Sequence, residues 1–155
     1  MSSTQTKQLP ISIEKAQKRE TRSQFGALCY RVKDDKLQFL LITSRRTKRW
    51  IIPKGWPEDA MTPADVAALE AFEEAGVKGK VSDQCLGVFS YEKYVSANTS
   101  YPCVVMVYGV QVKKKFGKYP ESAMRKRKWF SQKGAAKRVA EPDLAALIKS
   151  FRVKL

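Results

Sequence analysis

The stretch from Gly55 to Val77 constrains this chain more than any other, because it carries the start, body and end of a short helix in its own residues. Thr62 is a good N-cap, since its hydroxyl can accept from an orphan amide of the first turn. Pro63 follows at the first helical position, where a missing N–H costs nothing. Asp65 comes three residues after Thr62, close to a capping box and favourable beside the positive helix end. Gly76 supplies the left-handed residue that stops the helix. Between these limits lie Glu70, Glu73 and Glu74, which at spacings of three and four project from one face within a turn. The other flank carries Ala64, Ala67, Ala68, Ala71 and Ala75, small side chains that let a helix pack closely on a sheet.

Carboxylates packed this closely repel one another, and like charges at i,i+4 destabilise a helix. A divalent cation resolves the repulsion, since Mg²⁺ and Mn²⁺ take hard oxygen ligands, usually one or two carboxylates plus substrate phosphates. The plainer alternative is a solvated acidic helix face. The spacing alone leaves both open.

Strands are expected around this helix. Residues 1–20 are polar and mixed in charge and read as a loose, flexible arm; 21–155 reads as one domain. Ser23 to Val32 is strand-like, Lys33 to Lys36 a hairpin turn, and Leu37 to Thr43 a second strand. Ser44 to Arg49 is a basic loop, and Trp50 to Ile52 a short strand. Lys80 to Tyr91 is strand-like and broken at Gly87. Tyr101 to Val112 is a long central strand, 113–124 a basic loop, and Arg125 to Phe130 a last strand. Ser131 caps a helix to about Ala140. Pro142 begins another, with Leu144, Leu147, Ile148 and Phe151 at helical spacing.

Charge narrows the partners. Lys and Arg number 30 against 15 Asp and Glu, a formal net charge of +15. That balance implies anionic partners: polyphosphates, nucleic acid or an acidic surface. The absence of His excludes a Ser-His-Asp triad and His-bound zinc. No signal segment opens the chain and no apolar run is long enough for a membrane span, so no membrane partner is expected. Cys29, Cys85 and Cys103 lie in apolar, strand-like contexts without metal spacing, and read as reduced core thiols of a cytoplasmic protein.

Gly55, Glu70, Glu73, Glu74, Gly76 and Val77, with Ala71 in an aliphatic slot, fall at the positions of the Nudix box. The chain resembles the Nudix hydrolase family. The resemblance implies an α/β fold, an α/β/α sandwich with a mixed β-sheet and a catalytic helix. It also implies metal-dependent hydrolysis of a phosphoanhydride linked to another group, with Mg²⁺ or Mn²⁺ held by Glu70, Glu73 and Glu74. In that picture Glu70 or Glu74 orients or deprotonates the attacking water, and the Lys54 carbonyl is an extra ligand. Two box positions depart: Met61 stands where a Glu is usual, and Leu69 where the family has an Arg that orients and neutralises the glutamates.

Further pieces are similar to the diphosphoinositol polyphosphate and diadenosine polyphosphate phosphohydrolases: Ser44-Arg45, Arg49 to Pro53, Glu73 to Gly79, Leu86 to Phe89, and Arg125 to Phe130. By that similarity Ser44, Arg45 and Arg125 contact phosphates. Pro53-Lys54-Gly55 departs from that subgroup and is seen in some related dinucleotide polyphosphate hydrolases. Each assignment has an ordinary counterpart. The arginines can be solvated loop charges, the run Arg125 to Lys128 a charged strand edge, Trp56 a packing residue under the box loop, and Met61 an apolar loop contact. Glu92 is a further possible metal ligand.

Two other readings compete with a polyphosphate hydrolase, acting as monomer or homodimer. Leu69 and the +15 charge favour a Nudix-like module that binds RNA or polyphosphate with little catalysis; the three retained glutamates argue against it. The other is hydrolysis of an RNA 5′ end.

Overall fold

Continuous apolar runs, buried on both faces, build the central strands of the sheet, and the computed structural model describes residues 22–153 of the chain. The N-terminal arm expected over 1–20 lies outside the described residues. In order come β1 (Ser23–Lys33), β2 (Lys36–Thr43), β3 (Trp50–Ile51), β4 (Lys54–Gly55), α1 (Pro63–Ala75), β5 (Val77–Ser96), β6 (Thr99–Lys115), β7 (Arg127–Ser131), α2 (Gln132–Arg138) and α3 (Pro142–Ser150). The β1–β2 hairpin turns on Asp34 and Asp35, both at positive φ (52° and 62°), a conformation that Asp tolerates better than most residues.

The sheet runs β3-β2-β1-β6-β5, with β4 beside β1 and β7 beside β2. β1 and β6 are parallel, with Phe25 opposite Met106 and Tyr30 opposite Gln111, while the other pairs are antiparallel, so the sheet is mixed. Strand periodicity sends alternate residues to opposite faces. Phe25, Ala27, Cys29, Leu40, Ile42, Tyr108 and Val110 meet Ala64, Val66, Ala67, Ala71 and Ala75 of α1 on one face. Leu28, Phe39, Leu41, Val105, Val107 and Phe130 meet Ala135, Ala136, Leu144 and Ile148 of α2 and α3 on the other. The result is an α/β/α sandwich. Trp129 and Phe130 split between its two layers, because neighbours on a strand face opposite ways.

Several local expectations need correction. β5 starts directly after Gly76, earlier than Lys80, and runs past Tyr91 to Ser96; its register slips around Gly87, the position expected to break it. β6 extends to Lys115 because it continues to pair with the start of β5, so the loop expected from 113 begins later. The last strand begins at Arg127 rather than Arg125. Arg125 therefore lies outside the strand alternation that would have set its facing. Cys85 is exposed, unlike buried Cys29 and Cys103. It lies at a slipped register on the edge strand, and its thiol donates to the Gly87 carbonyl at 3.3 Å.

Candidate active site

The local signals that define α1 are met. The Asp65 amide donates to the Thr62 hydroxyl at 3.1 Å, and the Thr62 amide donates back to the Asp65 carboxylate at 3.3 Å. Gly76 ends the helix at φ 67°, and its amide donates to the Phe72 carbonyl at 2.9 Å. Buried alanines bring the helix close against the sheet, and its acidic face meets Gly55 and Arg125.

On that face Glu74 is buried and Glu70 half-buried. Burial pushes the Glu70 carboxyl well above its usual range, and its hydrogen bond to Glu74 and the charges of Glu74, Glu73 and Glu121 push it further. Burial also raises Glu74, offset by the hydrogen bond from Glu70 and the charges of Arg125 and Lys54. The hydrogen bond between them acts in opposite senses, favouring the protonated form of Glu70 and the ionised form of Glu74. Gly55 makes room for this. A Cβ there would lie 2.5 Å from the Glu70 carboxyl, so β4 can approach α1 only through a residue without a side chain.

The loop between β6 and β7 folds back over the end of α1. The Glu121 amide donates to the Glu73 carbonyl at 2.9 Å. Arg125 stands 3.6 Å from Glu74 and 3.0 Å from Glu121, and donates to the Thr43 carbonyl at 3.1 Å. Arg127 donates to the carbonyls of Ala75 (2.8 Å), Gly76 (3.3 Å) and Phe116 (2.6 Å), with its guanidinium over the Tyr119 ring. It thereby satisfies helix-end carbonyls that α1, with no basic residue in its last turn, leaves open.

An open cleft of about 900 Å³ is lined by Ser44, Arg45, Arg46, Arg49, Lys54, Tyr91, Glu92, Lys93 and Arg125 among others; the α1 glutamates are not in its lining, and Arg125 and Lys54 link it to Glu74. Burial lowers the Lys54 amine below its ordinary value, and the Glu74 charge opposes that shift. Its ammonium sits 4.8 Å from the centre of the Tyr91 ring. Tyr91 in turn donates to the Gln24 side chain. Arg49 pairs with Glu141 at 3.5 Å. Lys93 reaches over the half-buried Trp56 ring at 5.9 Å.

The structure brings Glu70 and Glu74 together beside Gly55, and gathers Ser44, Arg45, Lys54 and Arg125 around one cleft. Glu73 stays half-buried on the same helix, and Gly76 holds the helix end. Among the described residues, no trio of acidic, cysteine or histidine side chains closes into a metal cage. The donor chemistry nevertheless suits a hard divalent cation: the Glu70 and Glu74 carboxyl groups are in hydrogen-bond contact, with Glu73 on the same helix, and clustered carboxylate oxygens are what Mg²⁺ and Mn²⁺ take. Glu121, Lys93 and Tyr91 escaped the sequence reading as site residues. Glu121 is far from the box in sequence and carries no spacing signal, whereas Arg46 and Arg49 were visible within the basic loop.

A family model described as NUDIX domain matches residues 22–151. Human diphosphoinositol polyphosphate phosphohydrolase 3-alpha is 34% identical over 114 residues, covering 72% of this chain and 65% of that protein. Nudix hydrolase 13, mitochondrial, of Arabidopsis thaliana is 34% identical over 107 residues, covering 66% of this chain and 53% of its own length. The chain thus spans between about half and two thirds of the length of these curated relatives. Among solved structures, the C. elegans Ap4A hydrolase aligns with a TM-score of 0.59 at 17% identity, covering 83% of this chain and 94% of that one. The E. coli dihydroneopterin triphosphate pyrophosphohydrolase aligns at 0.62 and 15%, covering 84% and 94%. At these identities the structural likeness speaks for the fold alone.

Proposed function

The chain belongs to the Nudix family, and from that premise we propose that it is a divalent-metal-dependent hydrolase of phosphoanhydride bonds in densely phosphorylated small molecules, of the diphosphoinositol or diadenosine polyphosphate type. The observation that carries this reading is the Glu70–Glu74 pair, linked through Arg125 to a cleft whose walls hold Arg45, Arg46, Arg49, Lys54 and Lys93. A carboxylate pair beside concentrated cations suits a substrate that brings many phosphates and shares a metal with the protein.

Glu70 and Glu74, with Glu73 beside them, would hold Mg²⁺ or Mn²⁺. A bound metal supplies neutralisation of phosphate oxygens and a more acidic water. Glu70 or Glu74 orients the attacking water and accepts its proton. Water adds to phosphorus, the bridging P–O bond breaks, and the leaving phosphate departs with the electron pair. Arg45 and Lys54 contact the outer phosphates, with the Ser44 hydroxyl near the loop that carries Arg45. Each exposed contact contributes about 1 kcal/mol or less, so binding rests on their number. A location in the cytoplasm belongs to this reading. Among the described residues, no helix is long and apolar enough to cross a membrane.

RNA is a second partner, favoured by a specific observation: Lys113, Lys114 and Lys115 are exposed in succession, and Lys114 stands across from exposed Lys78. The deciding experiment is release of phosphate or nucleotide from diadenosine polyphosphates, diphosphoinositol polyphosphates, nucleoside triphosphates and 5′-triphosphate RNA, with Mg²⁺ or Mn²⁺ and beside Glu73→Gln and Glu70→Gln. Metal-dependent release from one class, lost in the variants, supports the hydrolase and identifies its substrate. No release from any class, with salt-sensitive RNA binding retained, leaves a binding module.

A further inference from the structure

We propose that Arg125 is a positioning residue: from the loop ahead of β7 it supplies the counter-charge that α1 lacks, and it holds the Glu74 carboxylate beside Glu70 rather than gripping substrate. This rests on the hydrolase reading above and gives the cleft's cations separate tasks.

The argument begins with α1. Its sequence, PADVAALEAFEEA, contains four acidic residues and no Lys or Arg, and position 69, next to Glu70, is Leu. A carboxylate buried as deeply as Glu74 requires a partner of opposite charge. Among the described residues, Arg125 forms an ion pair with Glu74 at 3.6 Å.

The rest of the Arg125 guanidinium is also engaged by protein. Its Nε donates to Glu121 at 3.0 Å and its Nη1 to the Thr43 carbonyl at 3.1 Å. The side chain is 11% exposed, against 48% for Arg49, which lines the same cleft. Its backbone is held as well. The adjacent Lys126 amide donates to the Thr43 hydroxyl and the Lys126 carbonyl accepts from the Thr43 amide, both at 2.9 Å. Glu121, the residue that steers Arg125, is tied by its own amide to the Glu73 carbonyl. Loop, strand end and helix thus form one unit with the guanidinium at its centre. Arg45 and Arg46 are exposed on the cleft rim, where a substrate can recruit them.

The division of labour predicts opposite kinetic signatures. Loss of a phosphate-gripping cation raises KM, whereas loss of the charge that positions Glu74 lowers kcat. The test uses the full chain and the polyphosphate it cleaves, comparing Arg125→Gln, Arg125→Lys, Arg45→Gln and Leu69→Arg. Beside it, urea unfolding is measured on a double-mutant cycle of Glu74→Gln and Arg125→Gln. Arg125→Gln should lower kcat at least tenfold with KM within twofold. Arg125→Lys, which keeps the charge but loses the fork, should fall between. Arg45→Gln should raise KM. Leu69→Arg should change kcat less than twofold, because the charge is already supplied. The cycle should show at least tenfold coupling in the folding equilibrium constant. A raised KM with retained kcat in Arg125→Gln, or a cycle that is additive within twofold, overturns the assignment. If the unmodified chain cleaves nothing, the hydrolase reading fails by itself, and the unfolding cycle alone still decides whether Arg125 holds Glu74.

Discussion

Gly55→Ala should remove the function of the carboxylate pair while leaving the fold nearly as stable as before. The added Cβ would lie 2.5 Å from Cδ and Oε1 of Glu70 and 2.7 Å from its Cγ. Carbon atoms in good contact are about 3.5–4.0 Å apart, so the overlap is about 1 Å. The atoms in the way belong to the end of a flexible, half-buried side chain, which can rotate toward solvent. That rotation costs on the order of 1 kcal/mol. Replacing Gly by Ala at a compatible backbone geometry returns about 0.4–1 kcal/mol through the unfolded chain. The net change stays within about 1 kcal/mol, or roughly 2–4 °C in melting temperature for a chain of this size. Glu70, however, can no longer lie against Glu74. Mn²⁺ binding, followed by the electron paramagnetic resonance of free metal, should weaken at least tenfold, and hydrolysis should fall with it. Gly79→Ala is the contrasting control. Its Cβ would lie 1.8 Å from the Gln111 carbonyl oxygen, a backbone atom that cannot swing away, so it should cost about 3 kcal/mol and leave metal affinity of the folded fraction alone. A Gly55→Ala protein that melts more than about 10 °C lower, or that binds Mn²⁺ as tightly as the unmodified chain, would refute the reasoning.

Three further outcomes follow from the same geometry. Burial raises Glu70 above its ordinary value of 4.5, so from there up to the raised folded value the folded state holds more protons than the unfolded one. Urea unfolding without metal should therefore show stability falling as pH rises from 5 to 8, with the slope flattened in Glu70→Gln and the loss recovered by Mg²⁺; a rising slope contradicts this. Arg127→Gln strips the carbonyls of Ala75, Gly76 and Phe116 of a charged donor and should cost about 2–3 kcal/mol, read as a lower urea midpoint. Leu144→Ala removes a fully buried side chain from the α3 layer and should cost about 2–5 kcal/mol, with kcat per folded molecule unchanged.

Sequence alone determined the features that depend on neighbours along the chain. Thr62, Pro63, Asp65 and Gly76 delimit α1 by satisfying or omitting particular backbone groups, and those groups lie within a few residues of the side chains that serve them. The spacing of Glu70, Glu73 and Glu74 follows from helical geometry in the same way, and apolar runs bounded by turn residues located the central strands. Tertiary structure decided everything that depends on what lies across a gap. Cys85 looked like its two fellow cysteines until the edge position of β5 left it uncovered. The two-member carboxylate pair, rather than an even trio, was set by the side-chain hydrogen bond between Glu70 and Glu74, beside Gly55, which Glu73 does not share. Arg125 read as one cation in a basic run; its engagement with Glu74, Glu121 and Thr43 exists because the β6–β7 loop folds back onto the helix end. Burial and counter-charge are properties of three-dimensional neighbours, and no spacing rule along a chain encodes them.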